Sequence, residues 1–414
     1  MKSPSPSAFA SRDYRVFFAS RVLSALGHQM EVVALGWLVY SLTQSAFALG
    51  LIGLASFLPV LLMALVSGHV ADRFDRRLIA IICYGVIALV SAGLLACALI
   101  GASALYAIYA LTILLGVARS FSNPATQALM PTLVPREALG NAISWSTSAW
   151  QTASIVGPAL GGLLYVFGPA VVFASAGLMF IASALCIAAI KTRRIQQHRE
   201  PATLSTALAG IRFIREKPVI LGAISLDLFA VLLGGATALL PIYAHDILMT
   251  GPWGLGLLRS MLSVGAIIMA IILVRWPLQR KAGPKMLISV AIFGLAIIVF
   301  GISTNLYLSL AALFVMGASD MVSVYVRQTL VQSETPDAMR GRVSAVSTVF
   351  IGASNELGEF ESGMMAAALG TVPAVVVGGI GTLLVVALWT RFFPALSKRD
   401  HLIQESDHNF AKNA

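Results

Sequence analysis

Gly68-His69-Val70-Ala71-Asp72-Arg73-Phe74-Asp75-Arg76-Arg77 is a charged knot set between two long apolar runs, 46–67 and 78–100. Each run holds roughly 22 residues, enough for a helix rising ~1.5 Å per residue to cross a hydrocarbon core ~30 Å thick. The stretch between them is too short for a domain and too charged for lipid, so it lies at a membrane surface. Its three arginines place that surface on the cytoplasmic side, where short connections collect Lys and Arg.

The remainder of the chain agrees. Of 414 residues, 58% are hydrophobic and 11% charged, against roughly 25% charged in soluble domains. Apolar runs at 17–40, 46–67, 78–100, 105–128, 139–167, 169–190, 218–244, 253–274, 285–302, 306–330, 341–368 and 374–393 predict twelve spans of an all-α integral membrane protein. The outer connections 41–45, 101–104, 245–252 and 303–305 contain no Lys or Arg. The inner ones carry Arg12, Arg15, Arg136, Arg275, Arg280, Lys281 and Lys285, so both termini are expected in the cytoplasm. The net charge of +10 thus reads as topogenic and not as a nucleic-acid surface, since no basic–aromatic face is present. Cys83, Cys97 and Cys186 lie inside apolar runs without disulfide or metal spacing. The first apolar run lacks a small-residue cleavage site and reads as a retained span.

Lys191–Lys217 is the longest hydrophilic stretch before the tail. It divides the chain into a six-helix half at 1–190, a cytoplasmic linker at 191–217, a second half at 218–393 and a tail at 394–414. Within the linker, Leu204, Leu208, Ile211 and Ile214 recur at helical spacing, which fits either an amphipathic helix on the inner leaflet or a solvated connection. An internal repeat supports the division. A shift of 201 residues superposes Gly116 on Gly317, Gln127 on Gln328, Pro135 on Pro336, Gly140 on Gly341, Gly157 on Gly358 and Gly162 on Gly363 in one register. Duplicated halves are what alternating-access carriers use, with substrate bound between them.

The motif Gly-x-x-x-Asp-Arg-x-x-Arg-Arg of the opening stretch resembles the signature loop between the second and third helices of the major facilitator superfamily. There the aspartate is understood to dock on the start of the eleventh helix, which here begins near Gly341-Arg342. The resemblance therefore implies a cytoplasmic gate formed by Gly68, Asp72, Arg73, Arg76, Arg77, Gly341 and Arg342. Asp75 stands where the family usually has Gly, so this turn is not expected to use a left-handed glycine. Gly157-Pro158-Ala159-Leu160-Gly161-Gly162 is similar to the Gly-Pro-x-x-Gly-Gly signature of exporters in the superfamily. Small residues at Gly157 and Gly161 suit close helix packing, and Pro158 a bend. The opening Arg12-Asp13-Tyr14-Arg15, with Arg21 and Ser24, resembles the branch that holds the bacterial enterobactin exporter and macrolide efflux proteins. So does Thr335-Pro336-Asp337-Ala338-Met339-Arg340-Gly341-Arg342. The resemblance covers nearly the whole chain and is silent on the substrate; the protein is expected to be a monomeric, proton-coupled exporter of a small organic compound, such as a siderophore or drug-like molecule, in the bacterial inner membrane. An importer or uniporter of the same fold is the alternative, and a non-transporting membrane sensor a more distant one. No nucleotide-binding Gly-Lys-Ser/Thr loop, metal cluster or nucleophile–base pair stands out, so neither a cofactor nor an enzymatic activity is expected.

Ionisable residues inside spans cost about 2.5–3.5 kcal/mol each on insertion scales and so face cavities or partners. Arg21, Ser24, His28 and Glu31 follow at steps of 3, 4 and 3 on the first span, forming one stripe. Arg119, Asp227 and Asp320 lie on the fourth, seventh and tenth. The superfamily lines its central cavity with spans 1, 4, 7 and 10, which implies cavity positions for these residues. Arg21 capping inner carbonyls and Asp227 satisfying a break in the backbone are the structural readings. On the eleventh span, Glu356 and Glu359 share a face and are candidate proton carriers; hydrogen bonding between neutral carboxyls and neighbouring helices is the alternative.

Overall fold

The computed structural model describes residues 7–191 and 204–402. The helices are α1 Arg12–Thr43, α2 Ala46–Arg73, α3 Arg76–Ile100, α4 Leu105–Leu129, α5 Leu139–Tyr165, α6 Pro169–Ala188, α7 Leu204–Glu216, α8 Pro218–Leu233, α9 Leu240–Ile242, α10 Gly251–Arg275, α11 Ala282–Ile302, α12 Leu306–Glu334, α13 Asp337–Leu369, α14 Thr371–Phe392 and α15 Pro394–Ser397. Among the described residues, ten helical segments are long and apolar enough to cross a membrane. The other two of membrane length are α5 and α13, equivalent positions in the two halves, which carry the polar runs around Ser144–Thr152 and Asn355–Glu361.

Several helices overrun their apolar runs. α1 begins at Arg12, where Ser11 accepts a hydrogen bond from the Tyr14 amide at 3.3 Å. Hydropathy marks where the chain enters lipid, whereas a helix continues until its exposed amides find a cap. For the same reason eight of the ten residues of the opening stretch are helical. α2 runs on through Arg73, and Phe74 and Asp75 alone separate it from α3. Asp75 sits at φ −67° and caps α3 by accepting from the Arg77 amide at 2.9 Å. The turn therefore needs an N-cap more than a left-handed residue, and aspartate supplies it.

The described chain forms two units, 1–202 with 238–260, and 203–237 with 261–414. In the first, α1 packs on α5 and α6, α3 on α4 and α6, and α2 on α4. In the second, α8 packs on α13 and α14, and α11 on α12 and α14. A Cβ at Gly317 of α12 would lie 1.9 Å from the Leu262 carbonyl oxygen of α10, and one at Gly116 of α4 would lie 2.3 Å from that of Ser56 on α2. Each helix pairing of the first half thus recurs in the second, and the matched glycines mark the same close backbone approach in both.

The predicted span 218–244 is interrupted. α8 ends at Gly234-Gly235, a tight turn follows at Ala236–Leu239, and the chain passes through α9 into a wider π-turn at Tyr243–Ile247. Gly235 lies against α13, where a Cβ would fall 2.3 Å from the Gly358 carbonyl oxygen. Beyond the break, residues 238–260 belong to the first unit. Tyr40 at the end of α1 donates to Asp246, which also contacts His245, and the His245 ring lies 5.4 Å from that of Trp37. α7 forms as the spacing predicts, but protein covers its apolar face in part. Ile214 is buried in a cluster with Ile220, Ile224, Val331, Val343 and Val346.

Candidate functional site

The stripe on α1 opens onto a pocket inside the first unit. Arg21, Ser24 and His28 line it together with Tyr84, Leu115, Arg119, Ser122, Asn123, Trp150 and Phe180, around a cavity of about 70 Å³. A second cavity of about 330 Å³ shares Arg21 and Trp150 and adds Thr126, Gln127, Ser146 and Thr147. The Trp150 indole stacks on the His28 imidazole at 6.3 Å, and Tyr84 donates to Ser24 at 3.3 Å. Arg119 is near enough to both His28 and Glu31 for its charge to act on them, and Arg259 of α10 likewise on His28. The pocket therefore combines cationic donors with flat aromatic walls. Such a surface suits an anionic or oxygen-rich group carried on an aromatic or apolar body.

Glu31 departs from the stripe. It is 1% exposed and accepts a hydrogen bond from Ser91 of α3 at 2.8 Å, while its second carboxylate oxygen is buried without a partner among the described residues. Ten residues separate Glu31 from Arg21, which at 3.6 residues per turn turns it about 80° around the helix. The steps of three and four keep neighbours together but accumulate this drift, which carries Glu31 into the α1–α3 contact.

In the second unit, Asp227 of α8 pairs with Arg327 of α12, and both are buried, at 5% and 2% exposure. Asp227, Ser319, Asp320 and Ser323 line a small cavity of about 10 Å³ with Ala230, Val231, Val290 and Phe293. Sequence reasoning passed over Arg327. Its signal was available: it follows Asp320 by seven residues, two turns on the same face of an apolar helix. Arg259 was missed in the same way.

Glu356 and Glu359 of α13 are partly buried. Glu359 accepts from the Thr237 hydroxyl at 3.4 Å, beside the break in the seventh span. The structure thus gives Glu359 a hydrogen-bonding partner at a discontinuous helix.

The arginines of the opening stretch have architectural contacts. Arg76 donates to the Ala128 carbonyl at 3.0 Å, at the end of α4, and Arg77 to those of Ile187, at 3.1 Å, and Ala188, at the end of α6. Asp72 is exposed and lies 3.9 Å from Arg76; Arg73 and Gly341 are exposed, and Gly68 and Arg342 partly so. In the Gly-Pro-x-x-Gly-Gly run, a Cβ at Gly161 would lie 2.8 Å from the Met30 Cα of α1, and one at Gly162 would lie 2.4 Å from the Pro252 carbonyl oxygen of α10. A Cβ at Gly157 would fall 2.5 Å from the Gln29 Cβ, and the Pro158 carbonyl lies against Gly256. Ser260 adds a hydrogen bond to the Ile155 carbonyl at 2.6 Å. The run therefore seats α5 on two helices at once.

Two sets of six helices with repeated pairings, each holding charged side chains in its interior, form the twelve-helix fold of the major facilitator superfamily. Solved structures share the fold. They include the bacterial homologue of the human lysosomal transporter Spinster, inward-facing and unoccupied, with TM-score 0.73 and 13% identity over 96% of this chain and 98% of that one. The POT family transporter PepTSo matches with TM-score 0.74 and 13% identity over 94% and 99%, and the nucleoside transporter NupG with 0.70 and 13% over 92% and 99%. The sequence profile of the transmembrane secretion effector family matches residues 4–413, and the chain belongs to that family. It is 26% identical over 378 residues to the enterobactin exporter EntS of Shigella boydii serotype 18, covering 91% of this chain and 90% of the relative. The EntS of Escherichia coli O1:K1 / APEC matches to the same extent. The protein is a multi-pass transporter of the bacterial inner membrane that moves a small molecule.

Proposed function

We propose that this transporter exports an anionic or oxygen-rich aromatic compound, of the siderophore kind, in exchange for protons. It works as a monomer with both termini in the cytoplasm. The observation that carries the substrate class is the pocket of the first unit, where Arg21, His28 and Arg119 meet Trp150, Tyr84 and Phe180. The relatives' naming as enterobactin exporters supports both the direction and the class. Alternating access uses the two halves, 1–190 and 218–393, joined by the linker 191–217. The gate is formed by Gly68, Asp72, Arg73, Arg76 and Arg77 with Gly341 and Arg342, and coupling runs through acids drawn from Glu31, Asp227, Asp320, Glu356 and Glu359.

Inverted membrane vesicles loaded with the protein and offered enterobactin test the reading. Accumulation driven by an acid interior, reduced at least tenfold in Arg119→Gln, is the expected result. Equilibration without dependence on the gradient would establish a uniporter instead. Preference for cationic over anionic aromatic compounds would sink the substrate class.

A further inference from the structure

We propose that Asp227, Asp320 and Arg327 together form a one-proton site, in which Arg327 holds one carboxylate ionised and the other binds the transported proton. The inference rests on the proton-coupled reading above and names the group that does the coupling.

Three observations carry it. Asp227 and Arg327 are an ion pair at 5% and 2% exposure. Asp320 lies in the charge field of both. Asp227, Ser319, Asp320 and Ser323 line one cavity of about 10 Å³, room for about a single water. The geometry follows from the helix. Asp320 and Arg327 are seven residues apart, roughly 10 Å along one face of α12. Helical side chains lean toward the N-terminus of their helix, so the long Arg327 side chain points back toward Asp320 while reaching α8. The Ser323 hydroxyl, between them on α12, is buried without a hydrogen-bond partner among the described residues, as is the Arg327 Nε. Both are polar atoms at a site whose occupancy can change.

Charge counting then decides the chemistry. Arg327 does not lose its proton, so one positive charge stands against two carboxylates. With both ionised the cluster, in which Asp227 and Arg327 are buried and Asp320 partly so, carries a net negative charge inside the helices; with one proton added it is neutral. A net charge in a membrane interior is costly, whereas a compensated set is tolerated. The cluster therefore takes up one proton, converting one carboxylate to a carboxylic acid, and gives it back when an opening to water solvates the charge. Among the described residues that line the cavity, none is charged besides Asp227 and Asp320; the arginines of α13, Arg340 and Arg342, lie in its first two turns. α8 has no titratable residue besides Asp227, and α11 has Lys285 alone, in its first turn, presenting Val290 and Phe293 to the cavity. α14 has only Arg391, in its last turn, and α12 otherwise offers Glu334 at its far end and the phenols Tyr307 and Tyr325. α7 carries Arg212, Arg215 and Glu216 before α8 begins, and Lys398 follows α15. On α13, Glu359 meets Thr237 beyond the break, and Glu356 and Glu361 flank it. Two carboxylates and two serines could also hold a sodium ion; the guanidinium already occupying the site disfavours a second cation, and the test separates the two.

The test needs no substrate. Reconstituted full-length protein is taken through a pH jump, and the infrared difference band of a buried protonated carboxyl is recorded. The expected result is a band in the wild type that vanishes in Asp320→Asn. It also vanishes in Asp227→Asn, where Asp320 becomes the partner of Arg327. The band grows in Arg327→Gln, which leaves two carboxylates uncompensated. Asp320→Asn keeps the neutral Asp227–Arg327 pair, so it is expected to fold and suffices if the others do not. A band unchanged in Asp320→Asn overturns the proposal, and so does a band displaced by millimolar sodium. Enterobactin accumulation in inverted vesicles distinguishes the two readings. A wild type that shows the Asp320-dependent band but no gradient-driven accumulation supports the proton site and refutes antiport. If accumulation is driven by the gradient equally in wild type and Asp320→Asn, transport is proton-coupled but not through this cluster.

Discussion

Arg77 donates to the Ile187 and Ala188 carbonyls at the end of α6, and Arg76 to the Ala128 carbonyl near the end of α4. A guanidinium there satisfies carbonyls left over by the helix and opposes the negative end of its dipole. Hydrogen bonds to charged groups contribute about 1.5–3 kcal/mol, and partial exposure keeps these near the lower figure. Arg77→Met is expected to lower the thermal unfolding temperature of the purified protein by several degrees. Asp72, exposed and 3.9 Å from Arg76, belongs to a different class. A surface pair contributes about 0–1 kcal/mol, so Asp72→Asn is expected to keep the wild-type unfolding temperature while slowing transport sharply. Normal turnover in that variant removes aspartate from the gate, and loss of folded protein makes its role structural. The two neighbours, similar in sequence appearance, thus separate by assay.

α5 is seated by missing side chains. A Cβ at Gly162 would fall 2.4 Å from the Pro252 carbonyl oxygen, against backbone that cannot swing aside, whereas one at Gly140 in the same helix meets nothing within 4 Å. Gly162→Val forces α5 and α10 apart and is expected to cost roughly 1–3 kcal/mol or more. Gly140→Ala fills empty space and relieves the chain entropy of a helical glycine, so it is expected to be neutral or to stabilise by about 0.5–1 kcal/mol. Thermal unfolding in detergent reads both. Equal effects would mean that the glycines serve flexibility and not contact. The linker helix α7 is held by contact too. Ile214 is buried in a cluster with α8, α12 and α13 residues, and Ile214→Ala is expected to cost about 2–4 kcal/mol.

The first unit is not continuous in the chain. Residues 238–260 complete it, bringing Pro252 and Gly256 against α5, Ser260 to the Ile155 carbonyl, and Asp246 to Tyr40. A fragment ending at residue 201 lacks these contacts and leaves the glycine face of α5 uncovered. Expressed alone it is expected to be digested readily by protease. Co-expressed with 202–414 it is expected to recover protection and to copurify. Full protection of the lone fragment would show that the added segment contributes little to the stability of the first six helices.

Span number and the internal duplication were legible in the chain before any packing was considered. Bilayer thickness sets the length of an apolar run, and lipid obliges each run to satisfy its own backbone as a helix. Those are local constraints, so the runs at 46–67 and 78–100 declare α2 and α3 outright. The matched Gly116 and Gly317 were legible too, because the same close approach was kept twice. What only the folded chain decided is which polar side chains meet. Glu31 turned to Ser91 because helical drift accumulates over ten residues and a neighbour stood on that side. Asp227 found Arg327 across 100 residues of sequence, a pairing that depends on how two helices are rotated against each other. The break after α8 needed Gly235 to meet α13 at Gly358, and the arginines of the opening stretch found helix ends more than fifty residues away. Periodicity reports the face of a helix; the identity of what lies opposite is set by tertiary packing, which no single segment encodes.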